Sequence, residues 1–136
     1  MAYKDGILAY DSRSSAGYSI IDHDYNKRID INGVQFFACG TVADHAKACA
    51  AFFTEEHIEC DVQYIAHDKG LLYIVGFDDE RMFKTPQSTK ASFSIGSGQD
   101  HAITAMDCGL SAKEAVKKAA YRDAGTGGKV RTFKVK

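Results

Sequence analysis

The fold is decided at the start of the chain, where two short apolar runs flank an Asp-Gly pair: Met1-Ala2-Tyr3-Lys4-Asp5-Gly6-Ile7-Leu8-Ala9-Tyr10-Asp11-Ser12-Arg13. Asp-Gly between apolar runs is typical of a two-residue β-hairpin turn, because both central residues must adopt a positive φ. The turn predicts that Tyr3 faces Leu8 and that Ala2 faces Ala9. Asp11 and the residues after it then have no partner in the first strand.

Further hairpins and helices are predicted along the rest of the chain. Arg28–Asn32 and Gln35–Cys39 flank Asn32-Gly33, and Asp61–His67 and Leu71–Phe77 flank Asp68-Lys69-Gly70. Helical spacing favours helices over Thr41–Glu56 and Asp100–Cys108, and a third that begins at Ser111 with a capping box to Glu114. Short strands are predicted at Tyr18–Ile21, Glu80–Phe83, Ala91–Ile95 and Lys129–Val135. Antiparallel hairpins with segregated helices indicate an α+β fold.

The bulk properties narrow the class of protein. A chain of 136 residues suits one domain, 1–136. Its 17 Lys and Arg nearly balance 18 Asp and Glu, so we expect neither nucleic acid nor a membrane surface as a partner. Four cysteines without a CxxC pair, and the lack of a signal peptide or long apolar run, predict a cytoplasmic protein. Five histidines without paired metal-ligand spacing predict no metal site, and we expect no cofactor.

Three stretches, in order, resemble proteasome β subunits and the related bacterial ring peptidases. The first is Ala9-Tyr10-Asp11-Ser12-Arg13, followed by Ser14-Ser15-Ala16-Gly17 and Lys27. The second is Ala38-Cys39-Gly40-Thr41-Val42-Ala43-Asp44. The third is Ile95-Gly96-Ser97-Gly98, then Tyr121-Arg122-Asp123-Ala124-Gly125-Thr126-Gly127-Gly128. The resemblance covers nearly the whole chain and implies an N-terminal-nucleophile hydrolase of the short bacterial or phage type. It also implies a four-layer αββα sandwich, with two antiparallel sheets between helices.

The chemistry that the resemblance implies is threonine-type amide hydrolysis. In this family an N-terminal threonine hydroxyl is the nucleophile and its own α-amine is the general base. By the resemblance, Lys27 lies beside that hydroxyl, favours its deprotonated form and keeps the pKa of the amine low. Asp11 anchors Lys27, and Gly40 donates a backbone N–H to the oxyanion of the tetrahedral intermediate.

Four more positions complete the implied site. Ser97 and Asp123 would form hydrogen bonds around the terminal amine and its water. Arg13 and Thr126 would buttress the site and contribute to substrate binding.

Each of these motifs also has a plainer interpretation. Asp11-Ser12-Arg13 could be a polar turn after a strand, and Lys27 could be a solvated surface lysine. Gly40 could be a helix-entry turn with Thr41 as N-cap. Gly96-Ser97-Gly98 resembles part of a phosphate-binding loop but lacks its Lys-Ser/Thr ending. Gly125-Thr126-Gly127-Gly128 could be a helix C-cap followed by a turn.

The sequence departs from the family pattern at its first residue. Members of the family begin with a Thr-Thr pair followed by an apolar residue, and Met1 stands where that apolar residue belongs. The chain as written therefore lacks the catalytic threonine, and a nucleophile would have to precede Met1. The hairpin register leads to the same expectation, since Asp11 and Arg13 lie beyond the partner of Met1.

Three hypotheses follow for the function. The first is a subunit of a proteasome-like threonine peptidase that forms a homo-oligomeric ring and cleaves peptides or unfolded proteins, with an ATP-dependent unfoldase as a partner compatible with the family. The second is a structural or regulatory relative that keeps the fold and the ring but does no chemistry. The third is an unrelated α+β binding module, which would be a monomer.

Overall fold

Most of the strands precede the two helices of the C-terminal third in the computed structural model, which describes residues 1–79 and 81–136, and one further strand ends the chain. The strands are β1 (Ala2–Lys4), β2 (Ile7–Tyr10), β3 (Ser14–Ala16), β4 (Ser19–Asp22), β5 (Arg28–Ile31), β6 (Val34–Gly40), β7 (Val62–Asp68), β8 (Leu71–Phe77), β9 (Met82–Gln87), β10 (Phe93–Ser94) and β11 (Arg131–Lys134). The α-helices are α1 (His45–Thr54), α2 (Gln99–Asp107) and α3 (Ala112–Arg122), and a 3-10 turn at Val42–Asp44 precedes α1.

Two compact units make up the chain. One combines residues 1–27 with residues 89–136, and the other consists of residues 28–88. We call them the terminal unit and the central unit. The assignment of residues 1–136 to a single domain stays a prediction.

The terminal unit is built on a four-stranded antiparallel sheet in the order β10-β1-β2-β11. The β1–β2 hairpin has the register that its Asp-Gly turn predicts, with Tyr3 opposite Leu8 and Ala2 opposite Ala9. Asp5 and Gly6 both have positive φ, as a type I′ turn requires. The outer strands come from the far end of the sequence, so both ends of the chain contribute to one sheet.

Small side chains let two helices lie close to this sheet. Ala2 and Ala9 form a cross-strand pair and pack with residues of α2 and α3: Ala102, Met106, Ala112, Ala115, Val116 and Ala119. The helix α3 begins at the capping box that the sequence predicts, since Ser111 accepts from the Glu114 N–H and Glu114 accepts from the Ser111 N–H. The short pair β3–β4 lies outside this sheet.

The central unit is a five-stranded antiparallel sheet in the order β5-β6-β7-β8-β9. Helix α1 covers it through Ala48, Cys49 and Phe52, which pack with Phe36 and Tyr64 of the sheet. Burial raises the pKa of the Cys49 thiol to about 12, so this thiol stays protonated in the core.

Several element boundaries differ from those predicted. The segment expected as a helix over Thr41–Glu56 begins with the 3-10 turn Val42–Asp44 and becomes α-helical at His45, while the Thr41 N–H donates to the Asp61 carbonyl. The third hairpin turn is the pair Lys69-Gly70, since Asp68 is already paired with Leu71. Strand β3, which has no apolar alternation, was not predicted.

The strand expected over Glu80–Phe83 is longer and lies later in the chain. Glu80 is outside the described residues, and β9 runs from Met82 to Gln87. It contains Pro86, which is accommodated because β9 lies at the edge of the sheet and, among the described strands, pairs with β8 alone.

Across residues 1–79 and 81–136, none of the helices is long and apolar enough to span a bilayer.

Candidate active site

A buried ion pair joins Asp11, just after β2, to Lys27, just before β5. Lys27 Nζ lies 2.8 Å from Asp11 Oδ1, and the two side chains are 9% and 5% exposed. The other carboxylate oxygen, Oδ2, accepts a hydrogen bond of 2.9 Å from the Gly127 N–H. Both oxygens are therefore engaged, which offsets part of the cost of burying the charges. The interpretation of Lys27 as solvated surface is wrong.

A second cluster forms around Asp123, at the end of α3. Its Oδ2 accepts hydrogen bonds from Ser97 Oγ at 2.6 Å and from Thr126 Oγ1 at 2.7 Å. Partial burial acts to raise the pKa of Asp123, but the hydrogen bonds from Ser97, Thr126 and the Gly125 backbone outweigh it, and the pKa is lowered. Asp123 is thus held as a carboxylate that accepts from two hydroxyls.

Consecutive residues connect the two clusters. The Thr126 side chain bonds to Asp123, and the N–H of the next residue, Gly127, bonds to Asp11. The Gly127 carbonyl accepts from the Ser12 N–H at 3.0 Å, so the backbone after Asp11 is fixed as well. The sequence alone did not assign a role to the Gly127 amide. The only feature that could have indicated one is its position directly after Thr126 in the Gly-Thr-Gly-Gly motif.

Close approach explains the absence of a side chain at position 127. A Cβ there would lie 2.3 Å from Arg13 Nη2. Arg13 also donates from Nη1 to the Ala124 carbonyl at 2.8 Å, and its Nε is buried without a hydrogen-bond partner among the described residues. The glycine-rich motif is therefore packed against the polar groups of the site, which is more than a C-cap and turn require.

Gly40 belongs to the central unit, whereas Asp11, Lys27, Ser97, Asp123, Arg13 and Thr126 belong to the terminal unit. Gly40 ends β6 opposite Val62 with φ +106°, and a Cβ would lie 2.1 Å from the Asp61 carbonyl oxygen. Thr41 occupies the N-cap position of the 3-10 turn, as the plainer interpretation expects, but its side chain makes no cap hydrogen bond. The oxyanion role of Gly40 stays a prediction.

The terminal unit holds a buried ammonium on Lys27 and, separately, a carboxylate on Asp123 that accepts from two hydroxyls. Lysine and aspartate side chains are among those that can act in general acid–base chemistry. In the part of the chain that the structure describes, no group of three or more His, Cys, Asp or Glu residues could hold a metal ion.

Comparison with known proteins is informative only at the level of structure. The sequence matches no protein-family model and no curated protein. The structure, however, superimposes on BPH of Thiobacillus denitrificans in complex with epoxomicin, with a TM-score of 0.76, 15% identity, and 99% of this chain and 97% of BPH covered. It superimposes equally on eukaryotic HslV from Trypanosoma brucei, with a TM-score of 0.76, 15% identity, and coverage of 98% and 97%. The chain has a proteasome β-subunit-like fold.

A second structure of T. denitrificans BPH matches this chain with a TM-score of 0.72, 16% identity, and coverage of 99% and 96%. Because both chains are covered almost end to end, the likeness concerns the whole fold. The α+β class and the resemblance that the sequence predicted are confirmed. The assignments of roles to Asp11, Lys27, Ser97, Asp123, Gly40, Arg13 and Thr126 stay predictions.

Proposed function

We propose that this protein is a subunit of a proteasome-like amide hydrolase of the threonine type, and that a residue preceding Met1 supplies the nucleophile. The observation that carries the proposal is the buried Lys27–Asp11 pair, with Gly127 on the second carboxylate oxygen, in a fold shared with HslV. A buried charge pair costs free energy relative to an apolar pair of similar size, so its presence favours a chemical use.

The strand register supports a nucleophile at that position. Ala2 faces Ser94 and Tyr3 faces Phe93, so a strand extended by two residues before Met1 would bring its first residue opposite Ser97. On the other edge Ala2 faces Ala9, so the same residue would lie opposite Ser12, next to Asp11. The Met1 N–H group already donates to the Ile95 carbonyl at 3.0 Å, in line with such an extension.

The proposed mechanism is acyl transfer to a terminal hydroxyl. The hydroxyl oxygen attacks the amide carbonyl and passes its proton to the α-amine of the same residue. The Lys27 ammonium stabilises the developing alkoxide. The leaving amine takes the proton, and water then hydrolyses the ester. Ser97 and Asp123 orient the terminal amine and that water.

The wider proposal includes assembly and location. By the same likeness we infer the four-layer αββα arrangement, a homo-oligomeric ring and a cytoplasmic protein that acts on peptides or unfolded proteins. An ATP-dependent unfoldase is a further partner compatible with the proposal.

The test restores the inferred terminus. The chain is produced with Thr-Thr before Met1, exposed by cleavage of a removable fusion, and compared with the same extension beginning with alanine. We expect hydrolysis of a set of fluorogenic peptides, covalent labelling by epoxomicin in the intact mass, and a ring in native mass spectrometry. Lys27→Met should lower kcat by about 10²–10⁴-fold, because it removes a group that acts in the transition state. The exposed Lys113→Met is the matched control.

Two results would separate the hypotheses. A ring that begins with threonine, is folded, and is neither hydrolytic nor labelled would reject the hydrolase and favour the non-catalytic relative. A folded monomer without labelling would reject the ring as well. The N-terminal sequence of the natural protein completes the test, since a terminus beginning with Thr, Ser or Cys is expected.

A further inference from the structure

Arg131, the first residue of β11, has a side chain that contacts two different segments of the terminal unit. Its Nη1 donates to Ser12 Oγ and its Nη2 donates to Asp24 Oδ1, each at 2.5 Å. The Arg131 side chain is 21% exposed. A guanidinium is planar and always charged, so it can bridge two acceptors in fixed directions in a way that an ammonium cannot.

The two segments are those that carry the buried ion pair. Ser12 directly follows Asp11, and Asp24 precedes Lys27 by three positions. One guanidinium thus connects the carboxylate side of the pair to the ammonium side. Ser12 Oγ also donates to the Lys129 carbonyl, so the hydroxyl is fixed from both directions.

Backbone contacts draw the same segments together. The Tyr25 N–H donates to the Ser12 carbonyl at 3.0 Å, and the Lys129 N–H donates to the His23 carbonyl at 3.1 Å. At Gly128, φ is +74° and a Cβ would lie 2.2 Å from the His23 carbonyl oxygen. The backbone at Gly128, just before β11, therefore lies so close to the backbone at His23 that there is no room for a side chain.

We propose that Arg131 is a positioning residue that holds the segments around Ser12 and Asp24 together and thereby keeps Lys27 against Asp11. No sequence motif singles out Arg131, and it acts through its neighbours rather than on substrate. The catalytic consequence depends on the proposed function, whereas the positioning itself does not.

The first readout is the reactivity of Lys27 toward acetic anhydride, measured by mass spectrometry on the folded chain. In Arg131→Gln we expect acetylation of Lys27 about two- to fivefold faster, because a partly exposed ion pair and its hydrogen bond to Ser12 are lost. Lys4, which donates to the carbonyls of Met106 and Leu110 in the same unit, should keep its rate. A general loosening of the unit would instead accelerate Lys4 and Lys27 alike.

Matched variants sharpen this comparison. Arg81→Gln removes an exposed pair with Asp78 and should leave Lys27 unchanged. Arg131→Lys keeps the charge but cannot bridge both partners, so it should recover only part of the protection. Asp24→Asn leaves the contact between Arg131 and Ser12 in place, so it should accelerate acetylation of Lys27 less than Arg131→Gln does. It replaces Arg131→Gln in the test if Arg131→Gln does not fold.

The second readout is activity in the chain that carries the Thr-Thr extension. Arg131→Gln should lower kcat with little change in KM, since Lys27 is proposed to act in the transition state. Unchanged Lys27 acetylation in folded Arg131→Gln and Asp24→Asn would overturn the positioning role. Absence of hydrolysis in the parent extension would overturn the proposed function alone, because the acetylation readout requires no turnover.

Discussion

At the scale of single residues, the site depends on charges placed where water is scarce. Asp11 and Lys27 are both buried, and the Gly127 N–H completes the environment of the carboxylate. Removal of one member leaves a buried charge without its counter-charge, which is more costly than removal of both. Replacing Asp11 and Lys27 singly and together therefore tests whether the two charges stabilise the protein as a pair.

We expect Lys27→Met and Asp11→Asn each to lower the free energy of unfolding by about 3–5 kcal/mol. The double variant should lose clearly less than the sum of the two, because neither charge is then left alone. Urea unfolding of the four proteins measures this cycle. If the free energies of unfolding of the single variants lie within about 1 kcal/mol of that of the parent, the pair contributes no more than an exposed ion pair does.

Asp123 should make stability depend on pH. Its pKa is lowered, so the unfolded chain binds a proton more readily than the folded one, and the contribution of the carboxylate is full above the ordinary value of about 4. That contribution is lost as pH falls through the lowered pKa. In Ser97→Ala, which removes one donor, the pKa of Asp123 should move upward in a carboxyl NMR titration.

A pH comparison completes this test. The difference in unfolding free energy between the parent and Asp123→Asn should be constant well above the ordinary pKa of about 4 and should shrink as the pH falls below it. A carboxyl titration of Asp123 that is identical in the parent and in Ser97→Ala would show that the Ser97 hydroxyl does not stabilise the charge.

At the scale of elements, the junction between β6 and the 3-10 turn is set by backbone contacts. Gly40 has a positive φ, and the Asp61 carbonyl lies where its Cβ would be. The adjacent Thr41 N–H donates to that same carbonyl at 2.7 Å. The close approach of two backbones, rather than a helix cap, therefore requires glycine here.

Gly40→Ala should destabilise the protein more than Gly109→Ala does, by about 1–3 kcal/mol, because the new Cβ displaces the Asp61 backbone. Gly109 has a similar φ of +99° and no atom within 4 Å of a built Cβ, so it carries the conformational strain without the clash. Thermal unfolding compares the two variants. Equal losses of stability in the two variants would show that the Asp61 backbone moves away from the new Cβ at no cost in free energy.

At the scale of the whole molecule, a fold shared with HslV at 15% identity shows how little of the sequence the architecture requires. Cores tolerate extensive substitution when total volume and apolar patterning are kept. Here the terminal unit combines the two ends of the chain, and its sheet places strands from residues 1–10 beside β10 and β11. Asp11 and Gly127, far apart in sequence, become neighbours through that arrangement.

Local features were predictable to the extent that their causes are local. The register of β1 and β2 follows from two turn residues, and the start of α3 follows from the spacing of Ser111 and Glu114. By contrast, the predicted helix start included Thr41, whose N–H instead donates to the carbonyl of Asp61, a residue distant in the sequence. Strand β3 escaped prediction since its residues show no apolar alternation.

The sequence by itself determined the turns, the capping box and the pattern of strands and helices behind the α+β class, since each depends on residues close together in the chain. Only the tertiary structure decided that the Asp11–Lys27 pair, which the resemblance implied, is buried, that the Gly127 amide donates to the second oxygen of this carboxylate, and that Arg131 bridges Ser12 and Asp24. The physical reason is that burial and ion pairing arise from contacts between distant segments, and no local pattern encodes which segments meet.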